Sequence, residues 1–333
     1  MIGGPQNATI IWIDDGCGNQ MAPMQGDAAI IQFRLTAPTG SALIRGRIDF
    51  GSADQGHWQT CRVGGIIGEM CQQLSLQIPV DGDFITATMY RPDTDRAGGR
   101  VPIVVCAHGL TGSRIGSCYR LVALGRQLAE VGVSCLTFDF RGCGESGGRF
   151  IDVTCDRLQR DLLAVLRFME RRDDVDGQRV GLCGSSFGAF SVARVAARVS
   201  GLKTVVFWAG VASPRDLFNR AMTDDAWRLL DAQGWLDHRG CRLGRPFFQL
   251  DPGLDDGPSA LADAATSLLM FHAEGDSEVP IEHSEAYQRA QESAGLKVRF
   301  HRLDLSDHGM RNADANDQMI QASVDWFAAA LLG

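Results

Sequence analysis

Arg179-Val-Gly-Leu-Cys-Gly-Ser-Ser-Phe-Gly-Ala-Phe190 is the stretch that decides how the rest of the chain is read. An apolar, strand-like run ends in Gly184-Ser185-Ser186-Phe187-Gly188, and a helix-compatible sequence from Ser186 to Ser200 begins at once. This is G-x-S-x-G set between a strand and a helix. A turn that tight puts its central residue in strained backbone geometry, and only residues without a Cβ fit close on either side. The strain lifts Ser186 Oγ clear of the sheet, above the N-terminal dipole of the helix. A glycine-rich turn with an incidental serine has the same spelling. A base, an acid and an oxyanion site must therefore come from elsewhere in the chain.

On both sides of this stretch, apolar runs alternate with helical patterns. Upstream, Ser75–Pro79 and Phe84–Tyr90 flank Val80-Asp-Gly-Asp83 and read as a β-hairpin on an Asp-Gly turn. After a polar loop over 91–100, Val101–Ala107 is a continuous apolar run, as in strands covered on both faces, and Ser134–Asp139 reads as a second buried run. Helices are expected at about 114–131 and 155–172, the latter with Leu158, Leu162, Val165, Leu166 and Met169 on one face. Downstream, Thr204–Trp208, Ser267–His272 and Leu296–Arg302 are further strands. A closing helix at about 315–331 turns Ile320, Val324, Phe327, Ala328 and Leu331 inward.

This alternation predicts an α/β fold, a doubly wound, mostly parallel eight-stranded sheet that binds ligands outside the carboxyl ends of its strands. The expected organisation is a main domain over 74–333, with a small cap insertion at about 209–266, and a β-rich extension over 1–73. In the extension, residues 29–36 and 42–50 read as strands around a Pro38–Ser41 turn, with a third strand at 7–13. Trp12, His57 and Trp58 carry no motif. The extension is a small appendage, a sheet extension or a homo-oligomer contact.

A net charge of −8 argues against a nucleic-acid surface. No run approaches about 18 consecutive apolar residues, so no membrane span is expected. The N-terminus lacks a basic region followed by an apolar one, so no secretory signal is read there. The ten cysteines form no C-x-x-C and no zinc-like spacing with histidine. Cys106, Cys135 and Cys183 lie inside apolar runs, as reduced thiols of a cytoplasmic protein would. No metal or cofactor is expected.

The chemistry gathers at strand ends. The first apolar run is followed by His108-Gly-Leu-Thr-Gly-Ser113, and the penultimate strand by Ala273-Glu-Gly-Asp276-Ser-Glu-Val-Pro280. The last strand is followed by Leu305-Ser-Asp-His308-Gly-Met310. Glu274 and Glu278 compete with Asp276 as the acid, while His108 and His301 compete with His308 as the base. His301 lies within a strand pattern and would point into a sheet face. His308 sits one loop from where Ser186 and Asp276 should meet. An ordinary histidine pKa of about 6.5 allows it to take the serine proton near neutral pH.

From about Ser75 onward the chain resembles the serine esterases of the α/β-hydrolase superfamily, especially small-lidded feruloyl/cinnamoyl-esterase-like enzymes. The resemblance rests on His108-Gly109, Phe138-Asp-Phe-Arg-Gly-Cys-Gly-Glu-Ser146, Gly184–Gly188, Gly275-Asp276 with Val279-Pro280, and Asp307-His308. It implies Ser186 as nucleophile, Asp276 as acid and His308 as base, in the chain order serine, acid, histidine. Asp276 occupies the acid position of a Gly-x-x-Asp-x-x-Val-Pro run whose first glycine is Ala273 here. The resemblance also implies an oxyanion hole from the backbone N–H groups of Leu110 and Phe187, with His108 bracing its loop. Two departures stand out: Cys143 replaces a frequent histidine, and residues 1–73 fall outside the likeness.

Within the cap, Asp224–Asp231 reads as helix and Trp235–Phe248 as a short hairpin. Trp227, Trp235, Phe247 and Phe248 either line an apolar acyl or aryl pocket or pack the cap onto the core. The implied activity is hydrolysis of a small-molecule ester or thioester through an acyl-enzyme on Ser186. The alternatives are a serine peptidase or amidase of the prolyl-oligopeptidase type and a non-catalytic binding module. Such peptidases usually carry a β-propeller ahead of the hydrolase domain, and 73 residues are too few to build one. An aspartate nucleophile, as in dehalogenases and epoxide hydrolases, is contradicted by Ser186.

Overall fold

The computed structural model describes residues 28–37, 40–49, 71–92 and 99–333, and divides the chain into two compact units, Met1–Glu69 and Met70–Gly333. In the first unit, β1 (Ala28–Ala37) and β2 (Gly40–Asp49) pair antiparallel, with Ala37 opposite Gly40. The strand expected at 7–13, and Trp12, His57 and Trp58, lie outside the described residues.

The second unit opens with β3 (Cys71–Val80) and β4 (Asp83–Pro92), joined by Asp81 and Gly82. Both turn residues have positive φ, 49° and 78°. That is the backbone twist a two-residue hairpin requires, and it explains the Asp-Gly pair. There follow β5 (Val101–Ala107), α1 (Arg120–Glu130), β6 (Ser134–Phe138), α2 (Cys155–Glu170), β7 (Val175–Ser185) and α3 (Phe187–Val195). After β8 (Leu202–Trp208), residues 209–266 hold α4 (Pro214–Ala221), α5 (Asp224–Gln233), the hairpin β9 (Trp235–His238) and β10 (Cys241–Gly244), and α6 (Gly257–Ala262). The chain closes with β11 (Ser267–Ala273), α7 (Glu282–Ser293), β12 (Val298–Leu303) and α8 (Ala313–Leu331).

Eight strands form one sheet in the order β12-β11-β8-β7-β5-β6-β4-β3. Only the β3–β4 and β4–β6 pairs are antiparallel. All seven residues of β5 and all five of β6 are buried, Ser134 and Thr137 of β6 included, as in strands covered on both faces. Alternation along β5 sends Ile103, Val105 and Ala107 to one face and Val104 and Cys106 to the other. The first face packs against Leu158, Leu162, Val165 and Leu166 of α2. The second packs against Leu121, Leu124 and Leu128 of α1 and Ile320, Val324 and Phe327 of α8. This is the α/β-hydrolase architecture.

The helix expected from 114 starts only at Arg120. Gly116, Cys118 and Tyr119 all have positive φ, 74°, 52° and 58°, so residues 114–119 form a tight irregular turn instead. Cys106, Cys135 and Cys183 sit buried and unbridged beneath α1 and α8. Among the described residues no helix is long and apolar enough to cross a membrane.

Candidate active site

The turn between β7 and α3 carries the backbone tension that its sequence implies. Ser186 has φ 53° and ψ −121°, outside the regions that residues with a Cβ ordinarily occupy. Three bonds hold it there: its N–H donates to Trp208 O, and its carbonyl accepts from the N–H groups of Ala189 and Val211, at 3.0–3.1 Å. The flanking glycines answer to close approach. A Cβ on Gly184 would lie 2.5 Å from Ala189 Cα, and one on Gly188 would lie 2.2 Å from Ala107 O. Any side chain at either position would push helix and strand apart.

Three loops at the carboxyl ends of the strands meet at this serine. Ser186 Oγ lies 3.1 Å from His308 Nε2, and His308 Nδ1 lies 2.6 Å from Asp276 Oδ2. With Nδ1–H donating to the carboxylate, Nε2 is free to accept the serine O–H. Asp276 is 6% exposed, and its Oδ1 accepts the N–H groups of Glu278 and Val279, both at 2.9 Å. Burial pushes its pKa up, but hydrogen bonds from His272 and His308 and from the Val279 N–H outweigh that and hold it well below the ordinary carboxylate range.

The competing groups take no part in this chain of hydrogen bonds. Glu274 is exposed, and Glu278 pairs with Arg239. Asp307 is held down to about 2 by its hydrogen bond to Arg311. His301 stacks on Phe271, with ring centroids 4.9 Å apart. His108 Nε2 accepts the Phe140 N–H at 3.0 Å and its Nδ1 lies 2.7 Å from Gly109 O, which fixes the proton on Nδ1 and ties the loop down. Burial lowers its pKa, so it stays neutral in this role.

Among the described residues, neither the Leu110 N–H nor the Phe187 N–H donates to another protein group. Both residues line the cavity in front of Ser186. Gly109 lies against Ser186, since a Cβ there would come within 3.0 Å of Ser186 Cβ.

That cavity has a volume of about 890 Å³. Leu217, Phe218, Met222, Leu236, Leu243 and Phe248 from residues 209–266 form an apolar wall, while Ser113, Arg120, Glu278 and Arg311 contribute polar groups. Of the four aromatic residues left between lining a pocket and packing, only Phe248 lines it. Phe247 is 1% exposed and packs against Phe187 and Phe218, with centroids 5.3 and 5.4 Å apart. Trp227 meets Phe248 edge-on, and Trp235 lies under the Arg242 guanidinium. These three bind residues 209–266 together and to the β7–α3 turn, so packing rather than lining describes them.

One group escaped the sequence reading. His272, at the end of β11 and fully buried, has Nε2 2.8 Å from Val279 O and 3.2 Å from Asp276 Oδ2. Both are acceptors, so Nε2 carries the proton and Nδ1 accepts from Ser284 Oγ at 2.7 Å. Its signal in the sequence is a histidine four residues before the acid, at the end of an otherwise apolar strand.

Residues 124–333 match the model of the prolyl oligopeptidase family. The chain belongs to that family. This matched span carries Ser186, Asp276 and His308, and it makes the chain a member of a serine hydrolase family with the α/β-hydrolase fold. The quorum-quenching protein AidA of Acinetobacter baumannii is 34% identical over 137 residues, a match covering 39% of this chain and 43% of AidA. The chain thus matches less than half the length of that curated relative. Est1E of Butyrivibrio proteoclasticus, solved with ferulic acid bound, aligns over 78% of this chain and all of its own, with 21% identity and a TM-score of 0.64. The Pyrococcus horikoshii acylaminoacyl peptidase aligns over 92% of this chain and 50% of its own, with 14% identity and a TM-score of 0.61. At these identities the two solved structures establish the shared fold.

Proposed function

We propose that the chain hydrolyses carboxylic esters or thioesters through an acyl-enzyme on Ser186. The observation that carries this reading is the unbroken hydrogen-bond path from Ser186 Oγ through His308 to Asp276, at 3.1 and 2.6 Å. His308 Nε2 takes the serine proton as Oγ attacks the scissile carbonyl, and the free N–H groups of Leu110 and Phe187 receive the oxyanion. The protonated His308 then gives its proton to the departing alcohol or thiol. Water then attacks the acyl carbon as it loses a proton to His308, and His308 returns that proton to Ser186 Oγ as the acid departs. Asp276 keeps the imidazole oriented and stabilises its charged form, and His272 holds Asp276 from behind.

Residues 209–266 act in this reading as a cap whose apolar wall receives an acyl or aryl group, Phe248 within it. The free thiols of Cys106, Cys135 and Cys183 support a cytoplasmic setting. Peptide or amide cleavage is the second reading, and membership of the prolyl oligopeptidase family favours it. The acylation chemistry is the same; the leaving group differs.

The test is steady-state turnover of aryl esters of graded chain length, acyl thioesters and aminoacyl amides by wild type and Ser186→Ala. Ester or thioester cleavage lost in Ser186→Ala supports the first reading. Amide cleavage alone supports the second. Equal ester rates in the two proteins would remove Ser186 from the mechanism.

A further inference from the structure

The cavity wall beside His308 contains a charge that this chemistry does not use. Arg120, the first residue of α1, is 4% exposed and lines the cavity. Its Nε donates to Ser117 O at 3.0 Å, and one Nη donates to Gly309 O, the residue after His308. Both acceptors are neutral carbonyls. Among the described residues no carboxylate lies within ion-pair distance of it, whereas the other two arginines lining the cavity, Arg239 and Arg311, are paired with Glu278 and Asp307.

A guanidinium removed from water without a counter-charge is strongly unfavourable, yet it stays protonated at neutral pH. Burial, with Arg311 acting in the same sense, pushes its pKa below the ordinary value, while Cys118 and Asp307 oppose. The Nη not bound to Gly309 has no protein partner among the described residues and is not sealed from solvent, so its two donors open onto accessible space. The exposed carboxylates of the same cavity are engaged: Glu278 by Arg239, and Asp237 by the Gly240 N–H at the hairpin turn. One uncompensated positive charge on a planar donor fork is the complement of a carboxylate.

We propose that Arg120 is the recognition site for a carboxylate on the substrate, so that the preferred esters are those bearing a free carboxylate. This rests on the Ser186 reading for the reaction, while the binding it predicts is measured without turnover.

Two arms test it. In kinetics, mono-4-nitrophenyl glutarate is compared with its methyl diester, and 4-acetoxybenzoate with its methyl ester, which puts the carboxylate on the acyl or the alcohol side. The wild type is expected to favour the carboxylate form of one pair by about tenfold or more in kcat/KM. In Arg120→Gln the ratio should fall toward one, and Arg120→Lys, which keeps the charge, should restore part of it. In calorimetry, the monomethyl esters of succinate, glutarate and adipate are titrated into Ser186→Ala. At least one should bind about tenfold more tightly than to Ser186→Ala/Arg120→Gln.

A wild type that cleaves esters without favouring any carboxylate form overturns the inference and leaves the ester reading standing. An equal loss on both members of a pair in Arg120→Gln also overturns it, and makes Arg120 a clamp on the His308 loop. Arg120-dependent hemiester binding in a protein that turns over no ester upholds the inference and removes the ester reading. Absence of hemiester binding to Ser186→Ala overturns it in every case.

Discussion

Asp276 is the residue on which the geometry of the site converges: two histidines and two backbone N–H groups all donate to one carboxylate. Its pKa is pushed up by burial and down, by a larger amount, by His272, His308 and Val279. A pKa depressed in the folded state contributes stability that is present above the ordinary carboxylate value of about 3.9 and is lost as pH falls through the lower folded value. Asp276→Asn should therefore unfold at lower urea than the wild type at pH 7, with the gap narrowing below about pH 4. Urea denaturation at pH 7 and pH 3 checks this, and a gap that widens in acid would contradict it. The meeting of Ser186 and His308 was legible in the sequence because each sits in a short motif at a strand end. The role of His272 was not, because a histidine closing a buried strand looks like packing until its neighbours are known. Arg120 was hidden for a related reason: it reads as an ordinary polar helix residue, and only the fold turns it into the cavity wall.

At the scale of elements, the strand–helix joint is held by distance as much as by conformation. Gly188→Ala would set a Cβ 2.2 Å from Ala107 O and 2.6 Å from His108 O, both rigid backbone atoms of the β5 end. Relief requires α3 to move, so a loss of about 3 kcal/mol or more is expected by chemical denaturation, with activity falling alongside it. A Gly188→Ala protein as stable as the wild type would contradict the close packing. Residues 209–266 divide their aromatic side chains between two tasks. Phe247→Ala empties a buried site and should cost about 3–5 kcal/mol. Phe248→Ala, at the cavity, should cost less stability and raise KM for aryl esters, as thermal melts and steady-state rates on both variants would show. Strands β5, β6 and β8 were easy to locate, since burial on both faces over most of their length leaves them dominated by apolar residues. Helix α7 was missed because its buried positions are His283, Ser284, Tyr287 and Gln291, which carry almost no apolar periodicity. The aromatic roles in the insertion were open for another reason: composition marks a residue as apolar and does not say which side of it faces a cavity.

At the scale of the molecule, the sheet from β3 to β12 and all the groups of the proposed site belong to Met70–Gly333. That unit is expected to fold and to keep its hydrolytic activity when residues 1–69 are deleted. A truncated protein that is insoluble or inactive, measured against the full chain, would show that the first unit contributes to the site or its stability. The doubly wound sheet was legible because most crossovers leave an apolar run followed by a helical pattern, the one through α7 excepted. The leaving group was not, because a triad at the carboxyl ends of the strands serves ester and amide alike. The most direct measurement of the central claim is intact-protein and peptide mass spectrometry after treatment with a fluorophosphonate. One adduct per chain is predicted, on the peptide containing Ser186, absent in Ser186→Ala and forming at least about a thousandfold more slowly in His308→Ala. An adduct on another residue, or unchanged labelling of Ser186 without His308, would contradict it.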